Sequence, residues 1–345
     1  MNYFKKVFVL STALLCFAAC GNAQKGISLL PDEVGKKVDI LYDGKLFTSY
    51  IYPADLDKPV LYPIYTAKGT VITRGFPRDP RPFEQVDHPH HVGAWFNFGD
   101  VNGLDFWNNS YAIPADKKPE YGSIRHRKIV NTENGVKEGI LMVEADWVDY
   151  SEKVLLKEET KFMFRGEGDM RIIERITKLT AQQEVTFTDN KEGLIALRMD
   201  RAFEEPSNQP ALYTDSKGNV TEVRVVNNEG VNGVYRNSEG LEKGEVWGKP
   251  TKWVCLSAEK EGEKISVAII DHKNNPGYPA HSHARGYGLF STNNMGSQVF
   301  DQNSPLFKLT LNPGQSTTFR HLIIVKTGGF ATDDEMTRLF TDFNK

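Results

Sequence analysis

Leu141-Met142-Val143-Glu144-Ala145-Asp146-Trp147 opens the part of the chain that decides its fold class. Lys161-Phe162-Met163-Phe164, Met170-Arg171-Ile172-Ile173-Glu174-Arg175-Ile176 and Val185-Thr186-Phe187-Thr188 follow it. These short runs are β-branched or aromatic and are punctuated by Gly, Asp and Asn, the pattern of strands rather than helices, although residues 170–176 alternate only imperfectly. Outward from this stretch the same composition recurs at residues 38–42 and 46–52, and again at 195–199, 220–226, 253–257, 265–271, 307–311 and 317–326. Turn signals separate the runs, among them Asp43-Gly44, Asn134-Gly135, Asn227-Asn228-Glu229-Gly230 and Asn312-Pro313-Gly314. A dozen or more short strands predict an all-β protein, a large antiparallel β-sandwich rather than alternating α/β units. One helix is expected near the end. Thr332 can cap it, Asp333, Asp334 and Glu335 suit the positive end of its dipole, and Met336, Leu339, Phe340 and Phe343 form one stripe. No repeat, low-complexity segment or linker divides residues 32–345, which are expected to form a single domain.

The N-terminus carries a different signal. Lys5 and Lys6 precede a largely apolar run over residues 7–17 and then Ala18-Ala19-Cys20-Gly21, the layout of an export signal. It resembles a bacterial lipobox. On that reading residues 1–19 are a lipoprotein signal peptide, Cys20 carries the lipid, and residues 20–31 form a tether; an ordinary secretory signal cut nearby is the alternative. The expected location is exported and lipid-anchored to a bacterial membrane, facing the periplasm or the cell surface. Cys255 then remains the single thiol, in an apolar strand-like run, and no internal disulfide can form. With 42 basic and 45 acidic residues and a formal charge of −3, the chain lacks the broad basic surface that nucleic-acid binding uses. The partners expected are a carbohydrate or other small molecule and, through the N-terminal lipid only, a membrane.

Chemistry-bearing residues concentrate between Asp87 and Trp107, where 21 positions hold three of the eight histidines, three aspartates and two of the five tryptophans. This lies within a loop-rich insertion, residues 75–119, whose prolines restrict the backbone while Gly93, Gly99 and Gly103 permit tight turns. His88, His90 and His91 can offer nitrogens to one divalent metal ion, transfer protons, or hold loop backbone. Asp105, between Leu104 and Phe106, is a candidate general acid or base, or a turn cap. Asp100, Asn102 and Asp105 alternate as calcium ligands do but lack the full EF-hand pattern. A second cluster, His281-Ser282-His283-Ala284-Arg285-Gly286-Tyr287, would present His281, His283 and Arg285 on one strand face. His90, His91, Asp105 and His283 are thus the candidate catalytic groups. Trp95, Asn102, Trp107, Arg285 and Tyr287 are the candidate substrate-binding groups. No serine-hydrolase elbow, phosphate-binding loop, His-Glu-x-x-His or cysteine knuckle is present.

Asp87-His88-Pro89-His90-His91, Gly99-Asp100-Val101-Asn102-Gly103-Leu104-Asp105-Phe106-Trp107, Asp189-Asn190-Lys191-Glu192-Gly193-Leu194 and His283-Ala284-Arg285-Gly286-Tyr287-Gly288-Leu289-Phe290 resemble the motifs of the bacterial family labelled methane oxygenase PmoA. The resemblance covers most of the chain and implies a β-rich exported protein. Val92 stands where that family often has arginine, so the arginine's role does not carry over. More loosely, the chain is similar to the supersandwich of galactose mutarotases and several polysaccharide lyases. That similarity implies a sugar-active enzyme (lyase, hydrolase or epimerase) with a histidine-rich pocket. The alternatives are a non-catalytic glycan-binding lipoprotein and a metal-dependent hydrolase or oxygenase.

Overall fold

The computed structural model describes residues 25–345. The chain opens with β1 (Ile27–Asp32), β2 (Lys37–Tyr42), β3 (Lys45–Ile51) and β4 (Val60–Ile64), and after the long insertion adds β5 (Ala94–Phe98) to the same sheet. It then builds a meander of long strands, β6 (Ser123–Glu133), β7 (Glu138–Val148), β8 (Val154–Glu167) and β9 (Met170–Ala181), in a second sheet. β10 (Val185–Thr188) leads back to β11 (Gly193–Arg198), which pairs with β5. β12 (Val234–Asn237), β13 (Trp253–Lys260) and β14 (Glu263–Asp271) extend the second sheet, and the hairpin β15 (His281–Arg285) and β16 (Leu289–Asn293) completes the first. β17 (Lys308–Leu311) pairs with β10, β18 (Ser316–Lys326) inserts between β14 and β9, and α1 (Asp333–Phe343) ends the chain.

The result is two eight-stranded sheets, ordered β1-β2-β3-β4-β5-β11-β16-β15 and β12-β13-β14-β18-β9-β8-β7-β6, with antiparallel pairing throughout. Their inner faces share one apolar core. In β7 the residues Leu141, Val143, Ala145 and Trp147 are buried while their neighbours are less so, the two-residue period of a half-covered strand. Across the core, Phe96 of the first sheet lies 5.8 Å from Phe319 and 6.4 Å from Trp147 of the second, and Phe47 meets Phe164 edge-on at 6.2 Å. Each such side chain contributes about 1.5–3 kcal/mol by leaving water.

Over β9, β18, β14 and β13 the outer face of the second sheet is covered by α1. Thr332 and Glu335 form a capping box at its start, and Met336 and Phe343, with Leu339 and Phe340, pack on Ile172, Trp253, Ile270 and Ile324. Cys255 is buried in this cluster as a small apolar group, and burial pushes its thiol up. β9 is therefore covered on both faces, which explains why residues 170–176 alternate poorly: Ile173 and Arg175 face the inter-sheet core, Ile172 the helix side.

Three expectations change. Residues 27–31, expected to belong to a tether, lie in the edge strand β1, which pairs with β2 and buries Ile27 and Leu29; the expected signal peptide and Cys20 lie outside the described residues. Residues 220–226 make only isolated bridges with residues 211 and 214 and leave Val220, Val223, Val225 and Val226 exposed, since the segment lies outside both sheets. The insertion at 75–119 contains the central strand β5, all five residues of which are buried.

One ion pair sits in the core itself. Arg175 donates to Glu158 at 2.7 Å and packs on Phe96 and Phe162, while Glu158 also accepts from Trp147 Nε1 at 2.8 Å and from Thr160 at 2.6 Å. Glu158→Ala would leave a buried guanidinium without its charge partner. The expected loss is about 3–5 kcal/mol, read by urea denaturation, with Arg175→Met combined with Glu158→Ala recovering part of it.

Candidate functional site

Strand alternation places the histidine clusters on the outward face of the first sheet. In β5, Phe96 points into the core while Trp95 and Asn97 point away; in β11, Ile195 and Leu197 point in, Ala196 and Arg198 out. The register aligns Trp95, Ala196, Ser291 and His283 in one row across β5, β11, β16 and β15. Residues of the insertion fold over this face and bury a second, smaller apolar cluster of Val60, Tyr62, Val92, Trp95, Trp107, Ala196 and Leu289.

Asp87 organises the loop. Its Oδ1 accepts from Arg198 at 2.7 Å and pairs with Arg74, while its Oδ2 bonds His88 Nδ1 at 2.6 Å. Arg74 donates further to the backbone carbonyls of Gln85, His88 and His91 at 3.1, 3.1 and 3.2 Å, so one buried guanidinium shapes the whole turn. Burial opposes the Asp87 charge, but Arg198, the His88 bond and Arg74 outweigh it and hold the carboxyl below the usual carboxylate range. His88 sits at φ +40°, a conformation that non-glycine residues adopt rarely and that is kept here by these bonds. Gly93, at φ +58°, is required where the loop enters β5, because a Cβ would lie 2.2 Å from the Leu61 carbonyl oxygen.

The rings assemble into a column. Tyr287 stacks on His88 (5.0 Å, 6°), His88 on His91 (4.8 Å, 5°) and His91 on Trp95 (5.0 Å, 19°). His90 meets His91 edge-on at 4.2 Å, and Trp107 bridges Trp95 (5.3 Å) and His283 (6.2 Å). His90 Nε2, both ring nitrogens of His91, His283 Nδ1 and Trp95 Nε1 are buried without a hydrogen-bond partner. Burial, reinforced by Lys58, lowers the His90 imidazole well below its usual value; burial and His90 do the same to His91; burial, then Lys191 and Arg285, bring His283 to about 3. All three are neutral at physiological pH, and His283 Nδ1 has the Glu192 carboxylate at 3.8 Å.

A family described as "Family of unknown function (DUF6807)" matches residues 37–341. The chain belongs to this family. Its description carries no activity, and nothing in it supports the methane oxygenase designation. No curated protein matches the sequence. Among solved structures, the chain is similar to the GH36 alpha-galactosidase AgaB of Geobacillus stearothermophilus, with TM-score 0.40, 12% identity, 87% of this chain and 41% of that chain covered. The chain thus spans about two fifths of that galactosidase. It is also similar to the Slr1438 protein of Synechocystis sp. PCC 6803, with TM-score 0.31, 9% identity, and 93% and 99% of the two chains covered.

In this DUF6807 protein the expected residues divide into two groups. His88, His90, His91, Trp95, Trp107, His283 and Tyr287 come together in the column. Asp105 stands beside it as a turn cap, accepting from Trp107 and Asn108 backbone N–H at 2.8 and 2.9 Å and from the Asn108 amide at 2.7 Å, so it positions Trp107. Asn102 is not brought there; it is exposed and bonds Thr186 N and Glu184 O beside β10. Trp95 has His91 on one side and the Lys58 ammonium over its ring at 5.6 Å, which leaves no face for a sugar. Nor do His88, His90 and His91 converge: their rings stack or meet edge-on, His88 Nδ1 is engaged by Asp87, and among the described residues no three His, Cys, Asp or Glu side chains are grouped to hold a metal ion.

Two recesses flank the column. A cavity of about 150 Å³ is lined by Lys58, Val60, His90, Val92, Ser110 and Tyr111. An open cleft of about 570 Å³ on the other side is lined by Gln85, Glu205, Trp247, Arg285, Gly286 and Tyr287, with the Arg285 guanidinium 5.6 Å from the Trp247 ring centroid. Lys58, Glu204 and Trp247 carry no motif; burial marks the first two, and its place in the open cleft marks Trp247. Glu204 accepts from Gln85 at 3.0 Å, and burial, partly countered by Arg198 and Arg201, pushes its carboxyl up to about 7 from an ordinary 4.5. Between those values the folded protein holds a proton that the unfolded chain has released, so stability falls as pH rises through that window. Glu204→Gln should flatten this slope and raise stability at pH 8 by about 3 kcal/mol or less, measured by denaturation across pH 4–9.

Proposed function

We propose that this protein is a carbohydrate-active enzyme that moves a proton with neutral histidine, a lyase or epimerase rather than a two-carboxylate hydrolase. The observation that carries the reading is the set of buried ring nitrogens on His90, His91 and His283 that make no hydrogen bond within the fold of the described residues. Buried polar atoms are normally bonded, and where several are left together a ligand or water completes them. A neutral imidazole is a base, and of the three His90 lines the cavity. Glycoside hydrolysis by paired carboxylates has less support. Asp87 is taken up by two guanidiniums and His88, and Asp105 by two backbone N–H groups and an amide. Arg285 and Tyr287, with Trp247, would hold the rest of the ligand in the open cleft.

His90→Ala and His283→Ala should each lower kcat/KM on an identified oligosaccharide by about 10²–10⁴-fold with the dissociation constant little changed. Full activity in both variants would overturn the assignment. A glycan-binding lipoprotein is the second reading, favoured by the Arg285–Trp247 cleft; binding without turnover in the wild type, abolished by Arg285→Ala, would select it. Export and lipid attachment complete the proposal: fatty-acid labelling in a bacterial host should mark the wild-type protein and fail in Cys20→Ala.

A further inference from the structure

The cavity beside His90 is lined by a buried cation that has no salt-bridge partner among the described residues. Lys58 is only 4% exposed. Its Nζ donates to the His90 carbonyl at 2.9 Å and lies 5.6 Å from the Trp95 ring centroid, and the residue lines the cavity. An ammonium has three N–H donors, and a buried one without an anion is costly to keep. Two carboxylates, Asp55 and Asp57, line the same cavity and Asp105 lies near, but each is engaged by other groups. Asp57 is shared by Lys118 and Arg125, each at 3.6 Å, and by the Ser123 hydroxyl at 3.1 Å; Asp55 pairs with Arg78; Asp105 caps its own turn. Among the described residues no carboxylate forms a salt bridge with Lys58.

Burial lowers the ammonium to about 8, against the pull of Asp57 and Asp105, so it still carries its charge at neutral pH. His90, whose Nε2 is buried and unpartnered, lines the same cavity. The space of about 150 Å³ is of the size that holds one six-membered ring.

We propose that this cavity is a carboxylate subsite for an acidic sugar, a uronate whose carboxylate pairs with Lys58 Nζ while its ring lies against His90. The identification of a sugar rests on the carbohydrate reading above; the demand for an anion rests on Lys58 alone. It narrows the substrate class from carbohydrates in general to those bearing a carboxylate, and it gives the subsite selectivity against neutral sugars of the same shape.

The test is a titration of wild type, Lys58→Met and Lys58→Arg with glucuronate, glucose and acetate, read by calorimetry and by thermal shift on the mature protein. Methionine fills the same stem volume without the charge. Its ligand-free Tm should equal or exceed that of the wild type, which separates a binding defect from misfolding. Glucuronate should bind wild type at least tenfold more tightly than glucose, and Lys58→Met should lose that difference while its affinity for glucose stays the same. Equal affinities for glucuronate and glucose in the wild type, or an undiminished preference in Lys58→Met, would overturn the subsite. Should neither sugar bind while acetate raises the Tm of wild type and not of Lys58→Met, the carboxylate site stands and the carbohydrate reading falls.

Discussion

The carboxylate of Asp87 is the constraint on which the site depends. Two guanidiniums, Arg74 and Arg198, are buried within reach of it, and two like charges in a poorly solvated place repel strongly unless an anion lies between them. Arg198 is fixed to the end of a sheet strand, and Arg74 grips three carbonyls of the loop, so Asp87 joins scaffold and loop through a single side chain. Its second oxygen orients His88, and from His88 the stack proceeds to His91 and Trp95 on one side and Tyr287 on the other. The strained backbone at His88 persists because all of these contacts hold it together.

The two outer faces of the sandwich are covered in different ways. On the second sheet, an amphipathic helix with Met and Phe side chains covers β9, β18, β14 and β13, and the cluster beneath it is almost wholly apolar. On the first sheet the cover is an irregular loop whose backbone and side chains bring polar atoms into contact with the sheet. A loop can present histidines at angles a helix cannot, and it leaves recesses where it fails to close. The rigid row of Trp95, Ala196, Ser291 and His283 beneath it supplies the platform.

Much of this was legible in the sequence, for identifiable reasons. Residues 141–147 and the C-terminal stripe have one covered face each, so their periodicity survives in the order of residues. β5 was hidden inside an apparent loop because it is buried on both faces and so shows no alternation, and residues 220–226 read as a strand because valine content alone says nothing about whether a neighbouring strand exists. The density of histidines and aromatics pointed to the column, and adjacency in sequence became adjacency in space because one turn holds residues 87–91. Lys58 and Glu204 were not legible. Each stands in a sequence of ordinary surface character, Asp57-Lys58-Pro59 and Glu204-Glu205-Pro206, and only the packing of distant segments turns it into a buried charge.

The column also makes the protein its own optical reporter. Trp95 and Trp107 lie 5.3 Å apart in a buried environment, one of them stacked on an imidazole that is in turn stacked on the half-exposed ring of His88. Two indoles at that separation share their excited states, and an imidazole in face contact modulates their emission. A molecule that displaces His88 or Tyr287 therefore acts on a chromophore it need not touch, and the near-ultraviolet spectrum carries a record of that displacement from the interior of the fold.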